Sequence, residues 1–192
     1  MRRSNKERSE TMRLQLIEAA RRLFVEKGYA ETATPEIAAT AGVTRGALYH
    51  HFEDKKALFH AVVEHEARKL AEEIGTAAAP ASDPKSAILA GTRAYFDAMT
   101  APGRTRLLLL DGPAVLGPRT VRNLDAENSE AALGQGLTDL AGDRQFAPEM
   151  LQAFTLLLSA AFDRAALAIA DGGDRESYET AIAAMIDAIA VK

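Results

Sequence analysis

Residues 34–55, TPEIAATAGVTRGALYHHFEDK, contain two very short helical patterns separated by a glycine and followed by the start of a third. Thr34 can cap the first helix, and Pro35 suits its first turn, because the N–H that proline lacks has no helical partner there. Gly42 supplies the left-handed residue that ends this helix. Thr44 is then placed to cap the second helix, in which Leu48 points inward. We therefore expect two helices joined by a tight turn.

The spacing of three small or apolar residues in this stretch is typical of a helix-turn-helix. Ala38 lets the helices cross closely, Gly42 makes the turn, and Leu48 anchors the second helix. An ordinary helical hairpin is the alternative. The second helix, however, is too short to be stable alone. It also displays Arg45 beside Tyr49 and a histidine, which suits contact with phosphates and base edges. DNA binding is therefore the better interpretation.

The residues on both sides of this stretch resemble the TetR/AcrR family of bacterial transcriptional regulators. The resemblance covers about the first sixty residues and is carried by residues 19–24, Gly28, Tyr29, Ile37, Ala38, 41–43, 48–52, Lys55, Leu58 and Phe59. Ala33 departs from the pattern, since many members have Thr or Ser there, and any hydroxyl contact from that position is absent. Beyond residue 60 the family shares architecture more than sequence.

This resemblance implies an all-α protein of about nine helices. An N-terminal three-helix head, residues 1–56 with a basic arm at 1–8, would bind DNA. A larger helical body, residues 57–192, would bind a ligand and dimerise. The protein would regulate transcription, most often as a repressor that binds a palindromic operator as a homodimer and that a small molecule releases. An activator and an architectural DNA-binding protein remain alternatives.

The resemblance also assigns candidate DNA contacts. Arg45 can reach guanine O6 and N7 in the major groove, and Gly46 allows the backbone to approach closely. The other candidates match family positions that contact phosphates or flanking bases; they are Thr34, Thr44, Tyr49, His50, His51 and Lys55.

Charge is distributed unevenly along the chain of 192 residues, whose net charge is −4. Residues 1–56 carry 11 basic and 8 acidic side chains, a net charge of +3, and residues 57–192 carry 12 and 19, a net charge of −7. A basic head on an acidic body implies that only the head meets phosphate. The chain has no cysteine, which is compatible with a reducing cytoplasm.

Several classes of protein are disfavoured by the sequence. The polar N-terminus is not a signal peptide, and the longest block of large aliphatics, Leu107–Leu110, is far too short to span a membrane. His60 and Glu64 have a chelating spacing, but no HExxH pattern accompanies them, so we expect no metal and no other cofactor. An enzyme with an accessory DNA-binding domain lacks support, because no paired carboxylates and no Gly-rich phosphate loop are recognisable. We expect a cytoplasmic protein with no membrane partner.

Helical patterns continue through the body. Residues 75–84 form a clear break, and helices are expected at 85–99, 104–110, 119–141, 148–170 and 174–191, with a kinked, non-helical connector at 111–118. The last two helices are apolar nearly all round, so one side is expected to cover a second copy of the chain. Candidate dimer contacts are Leu158, Phe162, Ile182 and Ile186. A pocket for an apolar or amphipathic ligand would be lined by some of the apolar residues Tyr95, Phe96, Met99, Leu107, Leu110 and Phe154.

Overall fold

The computed structural model describes residues 5–142 and 146–190, and every regular element in this part of the chain is helical. The helices are α1 Asn5–Glu31, α2 Thr34–Thr40, α3 Arg45–His51, α4 Lys55–Ala78, α5 Pro84–Met99, α6 Arg104–Arg106, α7 Gly112–Leu116, α8 Pro118–Ala126, α9 Ser129–Ala141, α10 Pro148–Ala170 and α11 Arg175–Ile189, with a π-helical turn at Leu107–Asp111. If residues 104–116 count as one bent segment, the described chain has ten helices. The predicted all-α class is confirmed.

The chain forms two compact units. The first contains the residues up to Glu66 together with Arg106–Val121, and the second contains Ala67–Thr105 and the residues from Arg122 onward. Helix α4 is continuous and contributes residues to both. The predicted division into residues 1–56 and 57–192 stays a prediction.

The helix-turn-helix follows the local signals in the sequence, with one correction. Gly42 has a positive φ of 69°, and Thr44 Oγ1 accepts a hydrogen bond from Ala47 N at 3.1 Å, as predicted for the turn and the cap. The predicted Thr34 cap is wrong. Ala33 occupies the N-cap position of α2 and makes no side-chain cap bond, because Thr34 is already the first helical residue and its hydroxyl bonds to Tyr49 instead.

Apolar residues at helical spacing predict a first helix from about Ser9 to Lys27, ended by Gly28. Helix α1 begins four residues earlier, at Asn5. Lys6 and Arg8 of the predicted basic arm therefore lie on its exposed first turns, whereas Arg2 and Arg3 lie outside the described residues. At the other end, Gly28 breaks the helical geometry with φ 81°. A helix end at this glycine was expected, since glycine adopts positive φ at low cost.

Lys55 joins the end of α1 to the start of α4. Its Nζ donates to the carbonyl oxygens of Tyr29 at 2.8 Å, Ala30 at 3.2 Å and Thr32 at 3.0 Å, and it lies 4.4 Å from the centroid of the Tyr29 ring. An ammonium group has three N–H donors, so these three bonds use all of them. The positive charge also stabilises the carbonyl end of α1.

Two further contacts between α1 and α4 complete the first unit. The Phe24 and Phe59 rings meet edge to face with centroids 5.1 Å apart, and both side chains are fully buried. Arg21 Nε lies 2.9 Å from Oε1 of the buried Glu66. The platform beneath the short helices α2 and α3 is therefore held by aromatic packing and by a buried ion pair.

Residues 104–118 differ from the prediction. The expected non-helical connector at 111–118 is wrong, because helix α7 begins at Gly112 and only Gly117, with φ 89°, interrupts the path into α8. Pro113 and Pro118 each lie in the first turn of a helix, where the missing N–H costs nothing. A Cβ at Gly112 would lie 2.8 Å from the Leu107 carbonyl oxygen, so this position requires glycine.

In the second unit, α9 packs closely against α5 and α10. The approach depends on glycines, since a Cβ at Gly136 would lie 3.1 Å from Ile88 Cγ1 and a Cβ at Gly134 would lie 3.4 Å from Thr155 Oγ1. The predicted bounds of α10 are confirmed, and Asp174 caps α11 by accepting from Ser177 N at 3.1 Å. Helix α11 ends at Ile189, close to the expected position.

The expectation that no apolar stretch is long enough to span a membrane is wrong for helix α10. Its 23 residues are long and apolar enough to cross a bilayer by length and composition alone. It nevertheless buries Leu158, Phe162 and Ala165 in the core of the second unit. The sequence makes this hard to see, because the longest block of large aliphatics in α10 is Leu156–Leu158 and the rest are spread around the helix.

Replacing Lys55 with methionine keeps the aliphatic stem and removes the ammonium group. We expect Lys55→Met to lower the free energy of unfolding by about 2 kcal/mol, because three backbone carbonyls lose a charged donor. Urea denaturation followed by circular dichroism measures this value. Lys56→Met is the matched control, since Lys56 is the exposed neighbour and its loss should change stability by less than about 0.5 kcal/mol. Equal effects of the two variants would contradict the role of Lys55.

Candidate functional site

Helix α3 presents an exposed polar face on an apolar anchor. Leu48 is fully buried, whereas Arg45, Gly46 and His50 are exposed and Tyr49 is 45% exposed. A Cβ at Gly46 would have Thr44 Oγ1 at 3.8 Å as its nearest neighbour. No packing within the described chain therefore demands glycine at this position. The expected close approach of the Gly46 backbone to a partner stays a prediction.

The two helices of the motif are tied together by a hydrogen bond. Thr34 Oγ1 and Tyr49 Oη lie 2.9 Å apart. This bond, together with the nearby Arg45 side chain, lowers the pKa of the Tyr49 hydroxyl. Two of the predicted DNA contacts are thus positioned by each other, which reduces the conformational entropy that either would lose on binding.

The two histidines at the end of α3 differ in exposure. His50 is exposed and His51 is half-buried, and their ring centroids are 5.5 Å apart. Burial, the His50 ring and Arg13 lower the pKa of His51. The Arg13 guanidinium lies 5.3 Å from the Phe52 ring centroid, so this cation is held beside the end of α3.

Lys55 is the predicted DNA contact whose side chain makes the most hydrogen bonds within the protein. Its ammonium group is already bonded to three carbonyl oxygens at the end of α1, as described above. A phosphate contact from this residue stays a prediction. Its exposed neighbour Lys56 borders a shallow surface groove with Asp54 and His60.

The four histidines do not build a metal centre. Within residues 5–142 and 146–190, no group of three or more His, Asp or Glu side chains could hold a metal ion.

A second candidate site is a cavity of about 150 Å³ inside the second unit. Its walls come from α4, α5, α9 and α10, with Asp125 at the end of α8. Most of the lining is apolar; it includes Ile74, Ala78, Ala87, Ile88, Ala132, Leu133 and Phe162. Gly91 and Gly136 also line it. A Cβ at Gly91 would lie 3.3 Å from Ile74 Cγ2, so glycine lets α4 and α5 approach closely at this wall.

Only Tyr95 of the six predicted ligand contacts lines this cavity. Phe96, Met99 and Leu107 are buried in packed core, and Leu110 is 52% exposed. Phe154 packs its ring against Phe146 with centroids 5.4 Å apart. The sequence identified apolar side chains but could not separate those that fill the core from those that border a space.

The cavity contains carboxyl groups that the sequence reasoning missed. Tyr95 Oη donates to Asp163 Oδ1 at 2.8 Å, and Ser159 Oγ donates to Asp125 Oδ2 at 3.1 Å. Burial raises the pKa of Asp163 from 3.8 to about 6, and the charge of Asp125 contributes to the rise. Burial also raises the pKa of Asp125. The one sequence signal was an aspartate inside the apolar pattern of α10.

The four predicted dimer contacts are buried within the protomer. Leu158, Phe162, Ile182 and Ile186 are all less than 10% exposed. The exposed apolar side chains of the last two helices lie on other faces; they are Met150, Leu156 and Leu157 on α10 and Met185 on α11. These residues are therefore better candidates for a contact with another chain.

Replacing Asp163 with asparagine should alter stability in a pH-dependent way. A carboxyl whose pKa is raised on folding destabilises the folded state as pH rises through about 4 to 6. We expect Asp163→Asn, which keeps an acceptor for Tyr95, to match the wild type near pH 4 and to exceed its free energy of unfolding by about 1–3 kcal/mol at pH 7.5. Urea denaturation at both pH values measures the difference. The exposed Asp171, mutated to asparagine, should show no such change with pH. A constant difference between Asp163→Asn and wild type would contradict the raised pKa.

Both parts of the chain match families of known regulators. Residues 16–62 match the family described as bacterial regulatory proteins, tetR family, and residues 85–191 match the tetracyclin repressor-like C-terminal domain. The HTH-type transcriptional regulator TtgR of Pseudomonas putida is 47% identical over 62 residues, which are 32% of this chain and 30% of TtgR. The HTH-type transcriptional activator FasR of Mycolicibacterium smegmatis is 30% identical over 118 residues, 62% of this chain and 54% of FasR. Three other relatives, each matching about a third of this chain, are repressors.

These curated matches thus span between about a third and about half of the relatives' own length. A solved structure provides a comparison over the full length. A TetR-family transcriptional regulator from Pectobacterium atrosepticum is 31% identical, with 99% of each chain covered and a TM-score of 0.73. The chain therefore belongs to the tetR family of bacterial regulatory proteins.

Proposed function

We propose that the protein is a cytoplasmic, DNA-binding transcriptional repressor that binds a palindromic operator as a homodimer and that a small molecule releases. The observation that carries this proposal is the exposed face of α3, where Arg45, Gly46, Tyr49 and His50 surround the buried Leu48 anchor. A recognition helix enters the major groove with its N-terminal residues on the base edges. Arg45 is the first residue of α3 and is therefore best placed for that role.

The polar contacts divide by their chemistry. Arg45 reads a guanine through O6 and N7, and Gly46 lets the backbone come close. Thr44, Tyr49 and the histidines meet phosphates or flanking bases, and the phosphate contacts position the helix without carrying sequence information. The positive charge of residues 1–56 supports this assignment, because phosphate contacts dominate affinity for DNA.

Transcriptional activation and architectural DNA binding are the two rival functions. The relative FasR is an activator, so the head alone does not decide between activation and repression; the repressors among the other relatives favour repression. An architectural protein would coat DNA with little sequence preference, whereas a regulator protects one or a few palindromic sites. Footprinting on the DNA beside the gene tests this difference.

Exposed apolar side chains on the last two helices support the proposed homodimer. Leu157 is 64% exposed, Leu156 43% and Met185 44%. Large apolar side chains this exposed are typical of a contact surface when they form one patch. Family members dimerise through a four-helix bundle of their last two helices, and a second copy of α10 and α11 would cover these side chains.

Ligand control would act through α4. This helix is continuous from Lys55 to Ala78, and its residues Ile74 and Gly75 line the cavity. A ligand that prefers one tilt of α4 would change the spacing of the two recognition helices, which must match half-sites about one DNA turn apart. A 100-fold loss of DNA affinity requires about 2.7 kcal/mol of coupling, and operator DNA must then weaken ligand binding by the same factor.

Arg45→Ala should reduce operator affinity by about 1–3 kcal/mol and relax the preference at one base pair in each half-site, because base readout is lost. Binding titrations on the operator and on a scrambled sequence, at several salt concentrations, measure both effects. Arg22→Ala removes the same charge from an exposed position on α1, outside the helix-turn-helix. If the two variants changed affinity and base preference alike, the assignment of base readout to Arg45 would fail.

Leu157→Glu and Leu158→Glu form a matched pair on adjacent positions of α10. The Leu157→Glu protein should fold, because Leu157 is exposed in the protomer. It should not dimerise, since a charge would enter the buried interface. Leu158 is 2% exposed, so glutamate there should unfold the second unit. Sedimentation equilibrium and circular dichroism separate the two results. A Leu157→Glu protein that stays dimeric at micromolar concentration would contradict this interface.

A further inference from the structure

The cavity in the second unit combines apolar walls with charge of a single sign. Asp125, Glu130 and Asp163 line it, and among the described residues that border it there is no lysine, arginine or histidine. An ordinary core would have placed apolar side chains here, because burying a carboxylate costs free energy unless it is paired. The three carboxyl groups therefore determine which ligands this space can accept.

The hydrogen bonds inside the cavity orient these carboxyl groups without neutralising them. Tyr95 donates to one oxygen of Asp163, and Ser159 donates to one oxygen of Asp125. Both donors are neutral hydroxyl groups. Burial raises the pKa values of Asp163 and Glu130, and the negative charge of Asp125 raises both further, so Asp125 repels the other two carboxyl groups. The positive charge of Arg122 partly offsets the rise in the pKa of Glu130.

The remaining ligand classes can be compared on these grounds. An anion would add a fourth negative charge to a low-dielectric space. A neutral apolar molecule would leave the existing repulsion in place. A metal ion is disfavoured, because no group of three acidic or histidine side chains in the described chain could hold one. An organic cation would both fill the apolar volume and compensate the carboxylates.

The cavity size limits such a cation. Its volume is about 150 Å³. An apolar cavity of about that size holds a molecule such as benzene. The ligand body is therefore about one ring in size, with a single charged group.

We propose that this cavity binds a compact organic cation, a protonated amine on an aromatic or branched apolar body, whose ammonium group lies against Asp125 and Asp163. The apolar part packs on Ile74, Ile88 and Phe162. This refines the predicted apolar or amphipathic ligand, and its regulatory meaning rests on the proposed function above.

Three molecules of one shape test the preference: benzylamine, benzyl alcohol and benzoate. Calorimetry with the full chain at pH 7.5 should show benzylamine binding at least tenfold more tightly than benzyl alcohol, with benzoate weakest. Asp163→Asn and Asp125→Asn should each lower the affinity for benzylamine to about that for benzyl alcohol and leave the affinity for benzyl alcohol unchanged. Asp171→Asn, which removes an exposed carboxylate outside the cavity, should preserve the preference.

A pH series on the wild-type protein gives a second measurement that needs no variant. Asp163 must be ionised to pair with the ammonium, and its pKa of about 6 means that about one tenth of it is ionised at pH 5. Benzylamine affinity should fall about tenfold from pH 7 to pH 5, while that of benzyl alcohol stays constant. The other groups at the cavity act in the same direction, since Asp125 and Glu130 also gain protons and Tyr95 stays neutral.

The outcomes separate this inference from the proposed function. Equal binding of the three molecules, tighter binding of benzoate, or no binding of benzylamine to folded protein would overturn the inference and leave operator binding untouched. Selective benzylamine binding that does not weaken operator binding would support the inference and contradict release by ligand. Selective binding that does weaken it supports both.

Discussion

The position of α3 depends on how firmly the end of α1 is joined to the start of α4. Lys55 makes this junction with one ammonium group on three carbonyl oxygens, and the Phe24–Phe59 contact and the Arg21–Glu66 pair extend it along the two helices. Helices α2 and α3 have seven residues each and cannot be stable alone. They are held because the chain before and after them is fixed at this junction.

Local signals explain what could be predicted from the sequence. A cap or a positive φ is decided by a few neighbouring residues, so Gly42, Thr44 and both ends of α10 were predicted correctly. The errors arose where packing overrides local preference. Pro113 looks like a helix breaker in the sequence, yet it lies in the first turn of α7 because the π-helical turn before it leads the chain directly into that helix.

The candidate sites differ in the same way. The polar face of α3 lies within one short stretch, so the resemblance predicts its residues as one group. The cavity is assembled from side chains more than eighty residues apart in sequence, and hydrophobic periodicity does not reveal which apolar residues border a space. Asp163 stands out in the sequence only as an aspartate within the apolar pattern of α10, Asp125 does not stand out at all, and the fold brings both to one cavity.

The glycines in the cavity wall have a consequence for how this protein could diverge from its relatives. Gly91 and Gly136 lie at contacts where an added methyl group would meet Ile74 or Ile88 at 3.3 or 3.1 Å. A codon for glycine becomes one for alanine by a single nucleotide change. Descendants of this gene can therefore displace Ile74 or Ile88, and so change the shape of the cavity wall, in one mutational step while the carboxyl groups stay in place. Selection on ligand size and selection on ligand charge would then proceed at separate positions.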